Sequence, residues 1–283
     1  MNDVLAAVDL TPLGRRVADR ARIAAETLEL DLALLHVIEP MSEAFISGEL
    51  ADMLRRHRRQ AAEELGDWVR SRSDRPVKVL EVKGSPVWEI ARASKHAELT
   101  VVGTSTLDHG RVGPVASRVA EASRGDVLVV RRQPRSTYRN VVIACDLSDS
   151  SVRAVELASA LAPGGRLTLV YALPTRFDAY MADAGMFPEE ISSARRLRLQ
   201  EATDALAEFA GRWEGVDFMV ADGPPIESVE EVVRRQGADL LVATSRGAGA
   251  TRLTLLGTVA AGFIEAAPCD VAIARIAGDF RRP

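Results

Sequence analysis

The segment from Val242 to Ala274, VATSRGAGATRLTLLGTVAAGFIEAAPCDVAIA, holds the residues best suited to chemistry. It is an apolar strand, a glycine-rich loop and a helix-period pattern that opens at Gly257, Thr258 and Val259. Small residues let backbone N–H groups approach a phosphate, and a helix N-terminus adds unpaired donors and a positive partial charge. Thr258 adds a hydroxyl, and Arg246 or Arg252 would neutralise charge. The chemistry is anion binding, although many glycine-rich turns before helices hold nothing. Asp9 and Asp146 are the second pair of candidates, each closing an apolar strand just before a Ser/Thr/Asp turn. As ligand-binding carboxylates they would sit beside that loop; as caps they would only start the following helices.

Other reactive side chains are sparse. His36 ends a strand-like run without a Ser, Cys or carboxylate pattern, so it reads as a packed or hydrogen-bonded histidine, while His57, His96 and His109 read as surface or loop residues. Cys145 and Cys269 are too few for a disulfide framework or a metal cage and read as small apolar residues. Trp68, Trp88 and Trp213 fall on helix patterns and read as packing residues. The run SDSS at 148–151 lacks the glycine pair of a phosphate nest and reads as a helix start. Phosphoryl transfer needs a positioned nucleophile as well as a cradle, and only the cradle is present, so turnover is not expected.

The elements that position these residues occur twice. VLAAVDLTPLGRRVADRARIAA (Val4 to Ala25) returns as VVIACDLSDSSVRAVELASALA (Val141 to Ala162), which aligns Asp9 with Asp146. LDLALLHVIEP (30–40) returns as GRLTLVYALPT (165–175), and the closing stretches 113–131 and 257–275 align without a gap. Between the copies, RQPRSTYRN (132–140) breaks the apolar periodicity, so a linker near Ser136 divides the chain into domains 1–135 and 136–283. Within each copy, continuous apolar runs alternate with helix patterns, the mark of a parallel sheet covered on both faces. Strands are expected near 3–8, 31–38, 77–82, 98–103 and 126–131. A long helix from Glu49 to Ser71 should put Leu50, Met53, Leu54, Ala61, Leu65 and Trp68 on its inner side. Its counterpart, 189–213, should keep Arg195, Arg196 and Arg198 outside.

A net charge of −4 on 36 basic and 40 acidic residues leaves no stripe for phosphate backbones, and nucleic acid is not an expected partner. The N-terminus lacks a signal-peptide pattern and no long apolar stretch follows, so neither a membrane nor export is expected and the cytoplasm is the default.

The spacing Gly247-x9-Gly257-Thr258, the openings VDLT and CDLS, the second strand LLHV and the APC before the last strand together resemble the universal stress protein family over nearly the whole chain. The resemblance implies two doubly wound, Rossmann-like α/β domains, each with a five-stranded parallel sheet in the order 3-2-1-4-5, whose final strands meet. It implies a site for ATP or a related adenine nucleotide, with magnesium as a possible companion, formed by Ala144, Cys145, Asp146, Ala172, Thr244, Gly247, Gly257, Thr258 and Val259. Thr244 stands where the family has its first loop glycine. In the first copy the equivalents are Asp9, Val37, Gly103 and Gly113. There, nine residues separate the two glycines where the second copy has twelve between Thr244 and Gly257, Thr106 replaces the middle glycine, and Pro114 replaces the hydroxyl residue. Proline removes both a hydroxyl and an N–H, so the first copy is expected to bind nucleotide weakly or not at all. The implied role is a stress-response regulator acting through an unknown protein partner, with slow ATP hydrolysis and homodimerisation allowed. The alternative is an interaction scaffold in which both sites have degenerated. A receiver-type signalling domain fits less well, since the acidic cluster it needs is missing.

Overall fold

In the computed structural model of the chain, the structure describes residues 3–40, 48–104, 113–174, 176–245 and 256–275. Two compact units form. The first comprises residues 1–137 together with 270–283, and the second comprises 138–269.

In the first unit the elements follow in the order β1 (Asp3–Ala7), α1 (Pro12–Leu28), β2 (Asp31–Ile38), α2 (Glu49–Arg70), β3 (Val77–Lys83), α3 (Pro86–Ala93), β4 (Ala97–Gly103), α4 (Pro114–Ala122) and β5 (Asp126–Val130). The sheet order is β3-β2-β1-β4-β5, all parallel, as expected for a doubly wound domain. Val4, Leu32, Leu34, Val101 and Val127 to Val130 are buried, which is why these strands read as unbroken apolar runs. Helix α1 starts where Thr11 accepts a hydrogen bond from the Leu13 N–H and Pro12 occupies the first helical position. Both are start signals with a physical basis: a hydroxyl for an orphan donor, and a φ already fixed for the helix.

The second unit repeats the pattern with β6 (Asn140–Cys145), α5 (Asp149–Leu161), β7 (Arg166–Leu173), α6 (Arg176–Asp183), α7 (Pro188–Ala210), β8 (Val216–Asp222), α8 (Pro225–Gln236), β9 (Leu240–Thr244) and α9 (Thr258–Ala266). Its strands run in the order β8-β7-β6-β9, again parallel. The final strand of the second copy, β10 (Asp270–Ala274), belongs to the first unit, where it pairs antiparallel with β5.

The β5–β10 pairing has local two-fold symmetry. Leu128 faces Ala272, its own repeat equivalent, and the register runs outward from there as Val129↔Val271 and Val127↔Ile273. The ends are locked reciprocally: Asp270 accepts from the backbone N–H of Arg131 (2.7 Å) and Arg132 (2.9 Å), and Asp126 accepts from that of Arg275 (2.8 Å). Arg20, on α1, reaches the fully buried Asp270 carboxylate at 3.3 Å and donates to the Ser136 carbonyl. The Arg275 guanidinium donates to the carbonyls of Ala120 and Glu121 at the end of α4. A buried carboxylate is tolerable only with such company.

Two sequence expectations need correction, and a third gains detail. The inner face of α2 is Ala51, Ala62, Leu65, Gly66 and Val69; Leu50 and Met53 are exposed, so the buried stripe is rotated by about one position. Arg195 and Arg198 stay partly exposed on α7, but they are paired there rather than simply solvated. Arg195 pairs with Asp178 and Asp222, and Arg198 pairs with Asp178 while lying 4.5 Å over the Phe177 ring. Trp88 is 78% exposed and packs little, whereas Trp68 lies under the Arg72 guanidinium and Trp213 stands 5.3 Å from the Phe209 ring.

Candidate functional site

Parallel strands deliver their carboxyl ends to one edge, and the order 3-2-1-4-5 opens a crevice there between the first and fourth strands. In the first unit that crevice is a cleft of about 360 Å³, and it gathers Asp9, Val37, Gly103 and Gly113, all four first-copy candidates. Its walls include Leu13, Gly14, Val17, Leu35, Ile90 and Ala116.

The path of the chain at the floor follows from two glycines. A Cβ on Gly14 would stand 1.8 Å from the Asp9 carbonyl oxygen, so only glycine lets α1 come this close to the end of the strand. A Cβ on Gly103 would stand 2.7 Å from Val17 Cγ2 and 3.3 Å from Leu13 Cγ. The Asp9 carboxylate is fixed by its neighbour: Oδ1 accepts from the Thr11 N–H at 3.1 Å and the Thr11 hydroxyl at 2.5 Å. Thr11 is the helix cap, and Asp9 braces the cap instead of acting as one. His36 Nδ1 is hydrogen-bonded to the Val8 carbonyl at 3.1 Å, in keeping with the structural role expected of it.

The second unit answers the same positions with different residues. Ser151 replaces Gly14, and its hydroxyl donates to Asp146 Oδ1 at 2.8 Å, beside the Ser148 hydroxyl at 2.5 Å and the Ser148 N–H at 3.1 Å. Ser151 Oγ also accepts from the Asp146 N–H at 3.2 Å. The turn follows another route: Leu147 takes a left-handed φ of 62°, which Leu10 does not, and its N–H reaches Cys145 Sγ at 3.3 Å. A non-glycine residue in that region costs about 1 kcal/mol or more, offset here by the extra donors on Asp146. Cys145 and Cys269 are free and buried, and burial pushes the Cys145 thiol pKa up.

At the fourth strand, Thr244 stands where the first copy has Gly103, and the residues equivalent to Val17 and Leu13 are the smaller Ala154 and Ser150. The volume added on the strand is removed from the helix. Helix α9 starts at Thr258 with Gly257 as its cap; the Gly257 N–H donates to the Ser245 carbonyl at 2.7 Å, and among the described residues no side chain caps the helix. Thr258 and Val259 are exposed. Since β6 and β9 pair in parallel, Asp146 and the N-terminus of α9 lie along the same edge. Ala144 and Cys145 close β6, and Ala172 lies near the end of β7. Gly247, Arg246 and Arg252 fall outside the described residues, as do Thr106 and His109 of the first copy. Among the described residues no cluster of His, Cys, Asp or Glu could hold a metal ion, and no helix is long and apolar enough to cross a membrane.

Sequence reasoning missed Ser151 as a support for Asp146 and Gly14 as the residue that brings α1 close. The second had a visible signal, since glycine is a poor choice inside a helix unless something packs against it.

Comparison with known proteins agrees with this architecture. The universal stress protein family profile matches residues 1–131 and again 137–275. A universal stress protein of Thermus aquaticus is 34% identical over 143 residues, covering 49% of this chain and 99% of that relative. One from Mycobacterium tuberculosis is 32% identical over 145 residues, covering 49% of this chain and 97% of its own. The crystal structure of a universal stress protein from Archaeoglobus fulgidus shares the fold at a TM-score of 0.67 and 17% identity, covering 97% of this chain and 98% of that one. With a repeated doubly wound sheet and two separate matches to one family, the chain belongs to the universal stress protein family as a tandem of two of its domains.

Proposed function

We propose that the chain binds ATP or a related adenine nucleotide, chiefly in its second copy, and uses occupancy to regulate a protein partner in the stress response. One observation carries this reading: the second unit sets a braced carboxylate, Asp146, and a helix start at Gly257, with an exposed Thr258 and no cap from any described side chain, along one sheet edge. A carboxylate suits the hydroxyls of a ribose. A helix N-terminus with free donors and a hydroxyl suits phosphate, and a magnesium ion would arrive with the nucleotide.

Asp146 and Thr258 would be the principal contacts, with Cys145 and Ala144 under the ribose, Ala172 at the ring edge, and Thr244, Gly247, Gly257 and Val259 along the phosphate path. Phosphate affinity at such a site comes from charge and backbone donors, not from a nucleophile, which favours binding over turnover.

The test is calorimetry of the purified chain with ATP and magnesium, alongside mass spectrometry of the protein as isolated. One adenine nucleotide should bind, Asp146→Ala should abolish that site, and Ser151→Ala should weaken it about threefold to tenfold by freeing the carboxylate, as expected for one ordinary hydrogen bond lost while the two from Ser148 remain. Absence of both bound nucleotide and heat would overturn the reading and leave an interaction scaffold in its place.

A further inference from the structure

Two exposed stretches of the chain are segregated in charge and opposite in sign. From Phe177 to Ala194, FDAYMADAGMFPEEISSA, there are four carboxylates and no Lys or Arg. From Met53 to Ala62, MLRRHRRQAA, there are four arginines and no carboxylate. Both surfaces also leave large apolar side chains in water. In the acidic stretch Tyr180 is 69% and Phe187 70% exposed, and the exposed Phe177 ring stands 6.1 Å from that of Tyr180. On α2, Leu50, Met53, Arg56, His57 and Gln60 recur at helical spacing off the buried stripe of Ala51, Ala62, Leu65 and Val69, and all are exposed.

The aromatic corner between α6 and α7 is held in place by polar contacts. Helix α6 has eight residues, too few to persist by itself, and of its described side chains only Met181 is buried. Asp178 pins it through ion pairs with Arg195 and Arg198 of α7, and the Arg198 guanidinium lies over the Phe177 ring. Past the turn, the Phe187 N–H donates to the Glu190 carboxylate at 2.8 Å, which fixes the backbone of a residue whose ring stays in solvent. A surface that is already ordered loses little entropy on docking.

Charge decides what covers these surfaces. On α2, Arg55 pairs with Asp52, whereas Arg56, Arg58 and Arg59 make no ion pair among the described residues. At the corner, Asp183 and Glu189 are exposed and make none either. We propose that the two surfaces are each other's partners: α2 of one chain docks on the α6–α7 corner of a second copy, with Leu50 and Met53 against Tyr180 and Phe187, and the arginines against Asp183 and Glu189. Aromatic residues, Met and Arg are the side chains enriched where proteins meet. The like pairings, α2 against α2 or corner against corner, bring like charges together and are disfavoured. Because every chain carries both surfaces, the contact is given and received at once in a closed pair, or passed on in a larger assembly.

Light scattering of the full chain across a concentration series, without nucleotide, reads the association. The mass should rise above that of one chain with concentration and fall back as salt approaches about 1 M, where the Debye length is about 3 Å. One variant carries Arg56→Glu with Arg59→Glu, and a second carries Asp183→Arg with Glu189→Arg; all four positions are exposed, and circular dichroism should show both variants folded. Each alone should stay monomeric where the wild type associates, because α2 and the corner then carry the same sign. Mixed in equal amounts they should associate, because each variant's α2 again meets a corner of opposite sign. Phe187→Ala, with every charge intact, should weaken the wild-type association at least about tenfold, as an aromatic anchor does. A monomer mass for the wild type at every concentration, association unchanged by salt or by any of these variants, or a mixture that stays monomeric would each overturn the inference. Binding of a polyarginine peptide by a wild-type chain that stays monomeric would overturn it too, and would give the corner to a basic partner of another kind.

Discussion

Introducing Gly103→Thr into the first unit should be costly alone and much less costly beside Val17→Ala. The new Cβ would lie 2.7 Å from Val17 Cγ2, closer than any ordinary carbon contact. Relieving that overlap by off-rotamer side chains or a backbone shift costs about 1–3 kcal/mol. Replacing a glycine in the strand returns part of this, about 0.5–1 kcal/mol, by restricting the unfolded chain. Val17 is fully buried, so Val17→Ala alone loses two methyl groups and opens a cavity, about 2 kcal/mol.

If the effects were independent, the double variant would be destabilised by their sum. The second copy holds Thr244 opposite Ala154, so the threonine side chain should fill the space the valine leaves, and the cycle should show a favourable coupling of at least about 1 kcal/mol. Guanidinium unfolding followed by fluorescence in a Trp213→Phe background reads the first unit alone, through Trp68 and Trp88. Coupling under about 0.5 kcal/mol, the usual scatter of independent sites, would refute the claim that strand and helix volumes were exchanged between the copies.

Two further outcomes are expected. Asp270→Asn should destabilise the first unit by about 3–5 kcal/mol, because Arg20 is left buried without its carboxylate, and adding Arg20→Met should recover most of the loss in the same unfolding assay; a cost under about 1 kcal/mol would show that the pair does little. The Cys145 thiol, pushed up by burial, should stay protonated and unreactive to Ellman's reagent in the folded chain at pH 8; because the unfolded chain releases this proton first, stability should fall as pH rises above about 8.5, and Cys145→Ala should remove that part of the alkaline decline in a pH series of melts, whereas rapid labelling of the native chain would contradict the assignment.

The alternation of strands and helices and the duplication were legible because they depend on period and repetition, which survive in one dimension, whereas the strand order came only from the family resemblance. Asp9 and Asp146 were visible as strand-end carboxylates for the same reason. What supports them was not. Ser151 reaches Asp146 only because the helix turns its first residues back onto the strand end, and the left-handed Leu147 that makes room for it has no signature in a leucine. The pairing of Arg195 and Arg198 was not legible because Asp178 and Asp222 sit on other elements, so a charge run that looks solvated locally is paired once the chain folds. The stripe on α2 was misplaced because apolar residues occur on both sides of that helix, and only the sheet decides which side is covered.

The pairing of β5 with β10 has a genetic meaning. Its register places Leu128 against Ala272, equivalent positions of the repeat, so the contact is of a kind that two identical chains could make with each other. Carried in one polypeptide, it forms at the effective concentration set by the linker and does not weaken as the protein is diluted. It also frees each half from the other's mutations. In a symmetric pair of identical chains, a proline such as Pro114 would appear in both halves at once; in this chain it alters one and spares its partner, so the halves can specialise without ever separating.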